Sequence, residues 1–161
     1  VMIRKNALLL VLAVLMLLVL PIQGRSHCQI PCGIYGDSIV FDELYQHIET
    51  INKSMRLIDS LSPEGAQNQN QLVRWVMNKE DHAQKFQTTM LEYFLAQRIP
   101  VVDSNETAAY QEYQRKVLLC HQMIVSAMKC KQTVDMAHTE RLESLLTEFK
   151  NLYYAEHGHA H

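Results

Sequence analysis

The residues best equipped for chemistry crowd into one nonapeptide, "HCQIPCGIY", residues 27–35. If His27 is the first residue of a processed chain, its α-amine, the amide nitrogen of Cys28 and the Cys28 thiolate can bind one metal. They do so through two fused five-membered chelate rings, because each adjacent donor pair is separated by two carbon atoms. Cys32 can add a second sulfur if the chain turns back sharply, and Pro31 and Gly33 suit such a turn. Two nitrogens and two thiolates in a plane favour nickel(II) or copper(II), whereas zinc prefers a tetrahedron. The His27 imidazole is left over as an axial ligand, and so anionic a donor set also stabilises a trivalent metal. Binding must displace protons from an amine of pKa about 7.7–8.0 and thiols of about 8.5, so it strengthens as pH rises. Spacing alone leaves a rival open, a small Cys28–Cys32 disulfide loop of the kind common in exported proteins.

Whether the amine is free depends on what precedes it. Residues 1–26 combine a charged start at Arg4 and Lys5, an apolar run from Ala7 to Leu20 and a short polar stretch after Pro21. This is the layout of a secretory signal peptide, and the run is shorter than the roughly 20 apolar residues that span a bilayer. Gly24 and Ser26 place small residues three and one positions before a cut between Ser26 and His27, which would make His27 the mature N-terminus. With the leader in place the amine is a peptide nitrogen and the chelate fails. Processing is therefore expected to act as the switch, and the chain to work outside the cytoplasm, in a periplasmic, extracellular or luminal space.

Loss of the leader leaves 135 residues with 12 Lys and Arg against 17 Asp and Glu, a formal charge of −5. That balance excludes nucleic acid as an expected partner, and after cleavage nothing is left to hold a membrane. The length suits one domain, and four cysteines are too few for a disulfide-built scaffold.

The rest of the chain must position the nonapeptide, and its pattern is helical. Asp37 or Ser38 can cap a first helix with apolar positions Leu44, Ile48, Ile51, Met55, Ile58 and Leu61, stopped by "SPEG". A second series runs through Leu72, Val76, Ala83, Phe86, Met90 and Phe94 and ends before Pro100. A third takes Tyr110, Tyr113, Val117, Cys120, Ile124 and Ala127, and a fourth Val134, Leu142, Leu145, Phe149 and Leu152. No segment alternates like a strand, and the linkers are short. The expected fold is all-α, an antiparallel four-helix bundle over residues 37–156 behind a metal-binding hook at 27–36, with a His-rich tail at 157–161.

Other chemically able residues have plainer readings. Cys120 and Cys130 would lie about 15 Å apart along one helix, too far for a disulfide, and read as buried thiols. Met55 and Met90 read as core. His47, His121 and His138 read as satisfied helix histidines. His157, His159 and His161 alternate in a tail that could hold nickel or zinc weakly, although a frayed terminus with no ligand is the plainer reading.

The nonapeptide strongly resembles the hook of nickel-containing superoxide dismutases, whose mature chains start His-Cys-x-x-Pro-Cys-Gly-x-Tyr. The resemblance implies a four-helix bundle assembled as a homohexamer, with the hooks clustered at subunit contacts and one nickel ion per subunit. It implies nickel ligands at His27 (amine and imidazole), Cys28 (amide nitrogen and sulfur) and Cys32 (sulfur), with Tyr35 near the vacant axial position. Glu43, sixteen residues after His27, would orient the axial imidazole. Tyr93 would match a second active-site tyrosine if a gap of about one turn is allowed. The implied reaction turns superoxide into dioxygen and hydrogen peroxide by cycling between nickel(III) and nickel(II). Two departures fall behind the metal: Gln29 stands where familiar members carry aspartate, and His82 where they carry an arginine that steadies the axial histidine. Any attraction of the anionic substrate would fall to local lysines such as Lys79 or Lys85. Two other functions compete: a secreted helical-bundle binding or signalling protein with the disulfide closed, and a nickel- or copper-binding protein without turnover.

Overall fold

The computed structural model describes residues 37–157. The leader, the nonapeptide and residues 158–161 lie outside the described residues, and with them the expectations for His27, Cys28, Cys32, Tyr35 and most of the His-rich tail. Helix α1 spans Asp37–Leu61. It buries Leu44, Ile48, Ile51, Met55 and Ile58 along the expected stripe, extends that stripe back to Phe41, and leaves Leu61 only partly buried. Past Leu61 the chain stays coiled in 3-10 turns over Ser62–Asn68, where Gly65 takes φ 53°, a value that favours glycine.

Helix α2 covers Gln69–Thr88 and runs directly into π-helical turns over Thr89–Arg98. Ile99 is extended (φ −113°, ψ 92°), as expected of a residue before proline, and this ends the helix. The stripe of α2 departs from expectation at its start. Val76 is 41% exposed, and the residue turned inward is Lys79, at 4%. Helix α3 (Thr107–Gln132) explains the exchange, because Lys79 Nζ donates to the carbonyls of Lys131 and Thr133 at 2.6 and 3.0 Å. A buried ammonium thus satisfies carbonyls at the C-terminal end of α3, where the helix dipole also favours a cation. Helix α4 spans Ala137–His157. Its apolar face starts at Leu142 rather than Val134, which is exposed in the preceding loop.

Each helix packs on its neighbours in sequence, and α4 closes back on α1. Cross-helix bonds fix the antiparallel sense. Tyr45 meets Thr147 and Asn52 meets Thr139 between α1 and α4, Asn78 reaches Ser54 between α2 and α1, and Arg115 pairs with Glu148 between α3 and α4. The described residues therefore form an all-α, antiparallel four-helix bundle, with no strand among them. None of these helices is long and apolar enough to cross a membrane.

The core is richest in aromatic rings at the end where α1 begins. Phe94 touches Phe41, Phe149 and Tyr153 with ring centroids 5.1, 5.0 and 5.6 Å apart, all four side chains being fully buried. Such edge-on and tilted contacts add about 0.5–1.5 kcal/mol per pair to the burial itself. Phe41 lies one turn after Asp37 and Phe149 one turn before Tyr153, so this layer forms a stiff floor under the point at which residues 27–36 join the bundle. Met55 and Met90 are buried, as expected of core methionines.

The candidate metal centre and the residues behind it

Only Gly36 separates Asp37 from the nonapeptide, and the Asp37 carboxylate is held from two other helices. The Tyr93 hydroxyl, on the π-helical segment, donates to Oδ1, and the Tyr153 hydroxyl, on α4, donates to Oδ2 at 2.7 Å. Arg98 Nη2 donates to the Tyr93 oxygen at 3.1 Å, its guanidinium lies 4.8 Å from the Tyr93 ring centroid, and its Nε stands 3.5 Å from Asp37 Oδ1. The π-helical turns bring Tyr93 and Arg98, five residues apart, into this stack. Arg98 Nε is an ion-pair partner of Asp37 without a hydrogen bond of its own. Burial, followed by the bond to the Asp37 carboxylate, raises the Tyr93 phenol above its ordinary range, and the same two causes raise Tyr153 further. Both tyrosines therefore stay protonated and able to donate. Asp37, expected as a possible helix cap, has its carboxylate engaged by these partners.

The second group lies further along the seam of α1 and α2. Glu43 and His47 are one turn apart on α1, with His47 Nε2 3.7 Å from Glu43 Oε1. His47 Nδ1 lies 3.0 Å from Nδ1 of His82 on α2. The rings meet edge to face, with centroids 5.0 Å apart. Glu43 and His82 are thus brought to the same place, joined through His47. Burial depresses the pKa of both imidazoles; for His47 the neighbouring His82 adds to the effect and Glu43 opposes it. His47 Nε2 is buried and has no hydrogen-bond partner, so the expectation of a satisfied histidine fails there. Tyr93 does not join this group but the Asp37 cluster, six residues before Glu43 and about 9 Å away along the helix axis.

The sequence draws no attention to Tyr153 or Arg98, and it marks His47 only as a satisfied helix histidine. The one legible signal was the four-residue spacing of Glu43 and His47, which puts them on one helix face. Lys79 is withdrawn from any steering role by its burial under α3. Lys85 is exposed and paired with Asp81 at 2.7 Å. His121 and His138 lie apart from both groups, in a shallow depression with Lys129 and Arg141.

Nickel of the expected kind needs thiolates, and the bundle's own two cannot supply them. Cys120 and Cys130 are free and buried, with burial pushing their thiols up to about 12 and about 11. Among the described residues no group of three or more His, Cys, Asp or Glu could hold a metal ion. The donor set of the nonapeptide, with an amine, an amide nitrogen, an imidazole and two exposable thiols, fits the metal on chemical grounds.

A family model for nickel-containing superoxide dismutase matches residues 23–157, beginning four residues before His27 and ending with α4. No curated protein and no solved structure matches the chain. A match over most of the sequence, carried on an all-α bundle with the hook motif at its head, leaves one assignment: the chain belongs to the nickel-containing superoxide dismutase family.

Proposed function

We propose that the superoxide dismutase activity of this family is performed here by a hook made of residues 27–36, freed by cleavage between Ser26 and His27. His27, Cys28 and Cys32 would hold the nickel, which supplies the one-electron redox change that oxidises one superoxide and reduces the next. The observation that supports the reading is the anchoring of Asp37, the residue after the hook, by Tyr93 and Tyr153 on a floor of buried rings. A chelate formed near a chain terminus takes part of its orientation from the rigidity of its attachment.

The remaining residues have supporting roles. Glu43, with its side chain 60% exposed on α1, offers a carboxylate to accept a hydrogen bond from the His27 imidazole and hold that ring in place. Tyr35 would stand over the open face and position water or substrate. The reaction consumes two protons for each hydrogen peroxide, and Lys85, a candidate for drawing in the anionic substrate, is paired with Asp81. The chain is further proposed to be exported and to assemble as a homohexamer with hooks at the subunit contacts. The −5 charge of the processed chain is compatible with a soluble assembly of this kind.

The test is to determine the N-terminus and mass of the mature protein, then to add one alanine before His27. The mature chain should begin at His27, and the extended one should keep its helicity and lose stoichiometric nickel. A chain that begins elsewhere, or an extended chain that still binds one nickel per subunit, overturns the reading. Light scattering on the mature protein tests the hexamer separately.

A further inference from the structure

The contact between His47 and His82 has a direction that their chemistry dictates. Two Nδ1 atoms 3.0 Å apart can share only one proton, so one ring donates and the other accepts. If His47 were the donor, its Nε2 would present a bare lone pair to the Glu43 carboxylate, 3.7 Å away, in a place where that nitrogen is buried and has no other partner. If His82 is the donor, His47 carries its proton on Nε2 and presents an N–H to the carboxylate. The second arrangement removes a repulsion and gives the orphaned nitrogen an attractive neighbour. The charged groups around the pair are Glu43 on α1 and Asp81 and Lys85 on α2, and the latter two are paired with each other.

We propose that His47 is a positioning residue: His82 donates from Nδ1 to His47 Nδ1, and this locks the His47 proton on Nε2, where it restrains one oxygen of Glu43. An exposed glutamate on a helix samples several rotamers. A fixed N–H beside one oxygen narrows that set and leaves the other oxygen for a partner from the hook. This rests on the reading that Glu43 orients His27. The polarity of the imidazole pair does not depend on nickel.

The first test therefore uses the nickel-free, histidine-¹⁵N-labelled mature chain at pH 8. His47 should show a protonated Nε2 and a bare Nδ1, and His82 a protonated Nδ1. The reverse assignment, or comparable populations of both tautomers, overturns the proposal. The second test uses nickel-loaded variants. His82→Leu removes the donor and should lower turnover per bound nickel about 10-fold, while His82→Gln, whose amide can donate to His47 Nδ1, should recover to within about 3-fold of the wild type. Adding His47→Phe to His82→Leu should cost nothing more. Full turnover in His82→Leu, no rescue by Gln, or additive losses refute the positioning role. If the leucine variant does not fold, the tautomers of the wild type still decide. Glu43→Gln separates the two ideas: unchanged turnover there sinks the orienting role of Glu43, whatever the tautomer of His47.

Discussion

The hydroxyl of Tyr153 donates to Oδ2 of Asp37 at 2.7 Å, joining the last helix to the first helical residue across 116 positions of sequence. Tyr93 serves the other oxygen from a different helix, so the carboxylate at the root of the hook is held on both sides. Tyr153→Phe keeps the ring in the aromatic floor and removes only this bond. The expected loss is about 1 kcal/mol, because Asp37 retains Tyr93 and water can reach it. A thermal melt should show a drop of about 3–5 °C with helicity unchanged. An unaltered melting temperature would mean that the bond contributes nothing to holding the root.

Within the hook, the two kinds of donor should fail differently. His27→Ala keeps the amine, the amide and both sulfurs, so nickel should remain bound while turnover falls 10-fold or more for want of the axial imidazole. Cys28→Ser and Cys32→Ser each remove a thiolate that the proposed site would use to hold the metal and bring its potential into range, and dismutation should vanish. Superoxide consumption and nickel content must be measured on the same samples. Full activity in His27→Ala would refute the axial role.

The titratable groups of the bundle set a pH window for stability. His47 and His82 have folded pKa values below the ordinary 6.5, so the unfolded chain takes up protons first, and stability should fall as pH drops below about 6.5. Cys120 and Cys130 are raised from 9.0, and Tyr93 and Tyr153 from 10.0. Their contribution is complete below those values and lost as pH climbs above them. Urea midpoints for the nickel-free protein should be highest between these limits. Replacing both histidines, as His47→Phe with His82→Leu, should flatten the acid limb, and an acid limb of undiminished slope would contradict the assignment.

Core and surface positions of the π-helical segment should behave as opposites. Phe94→Ala empties the centre of the aromatic floor and should cost about 3–5 kcal/mol in urea unfolding. Leu91→Ala, at a position 55% exposed, should change stability by less than about 0.5 kcal/mol. Equal effects at the two sites would contradict the packing described.

Much of this architecture can be read from spacing. The stripe of α1, the stop before Pro100, the core methionines and the unpaired cysteines follow from local periodicity and residue chemistry, whereas on α3 only Cys120 and Ala127 of the expected stripe are buried, the face being completed by Lys116, Leu119, Met123, Ser126 and Cys130. What escapes such reading depends on a partner distant in sequence. Lys79 sits where the apolar stripe of α2 would continue, and only the end of α3 explains a lysine there. His47 looks like any histidine on a buried helix face until α2 brings His82 against it. Tyr153 reads as one more core aromatic, because its hydroxyl acquires meaning only from Asp37 at the opposite end of the chain. The π-helical turns have no legible signal either. They widen the helix so that Arg98 lies over Tyr93, a contact that ordinary helical spacing does not suggest.

The burial of Cys120 and Cys130 also bears on how long the protein lasts. An enzyme that releases hydrogen peroxide bathes its own thiols in an oxidant, and peroxide attacks thiolates rather than thiols. The four cysteines divide accordingly. The two in the proposed hook would have to ionise to serve the metal and would then be open to attack, while the two in the bundle, raised to about 12 and about 11, remain protonated and shielded at neutral pH. Oxidative ageing should therefore begin at the hook and inactivate the protein while its helices are still intact.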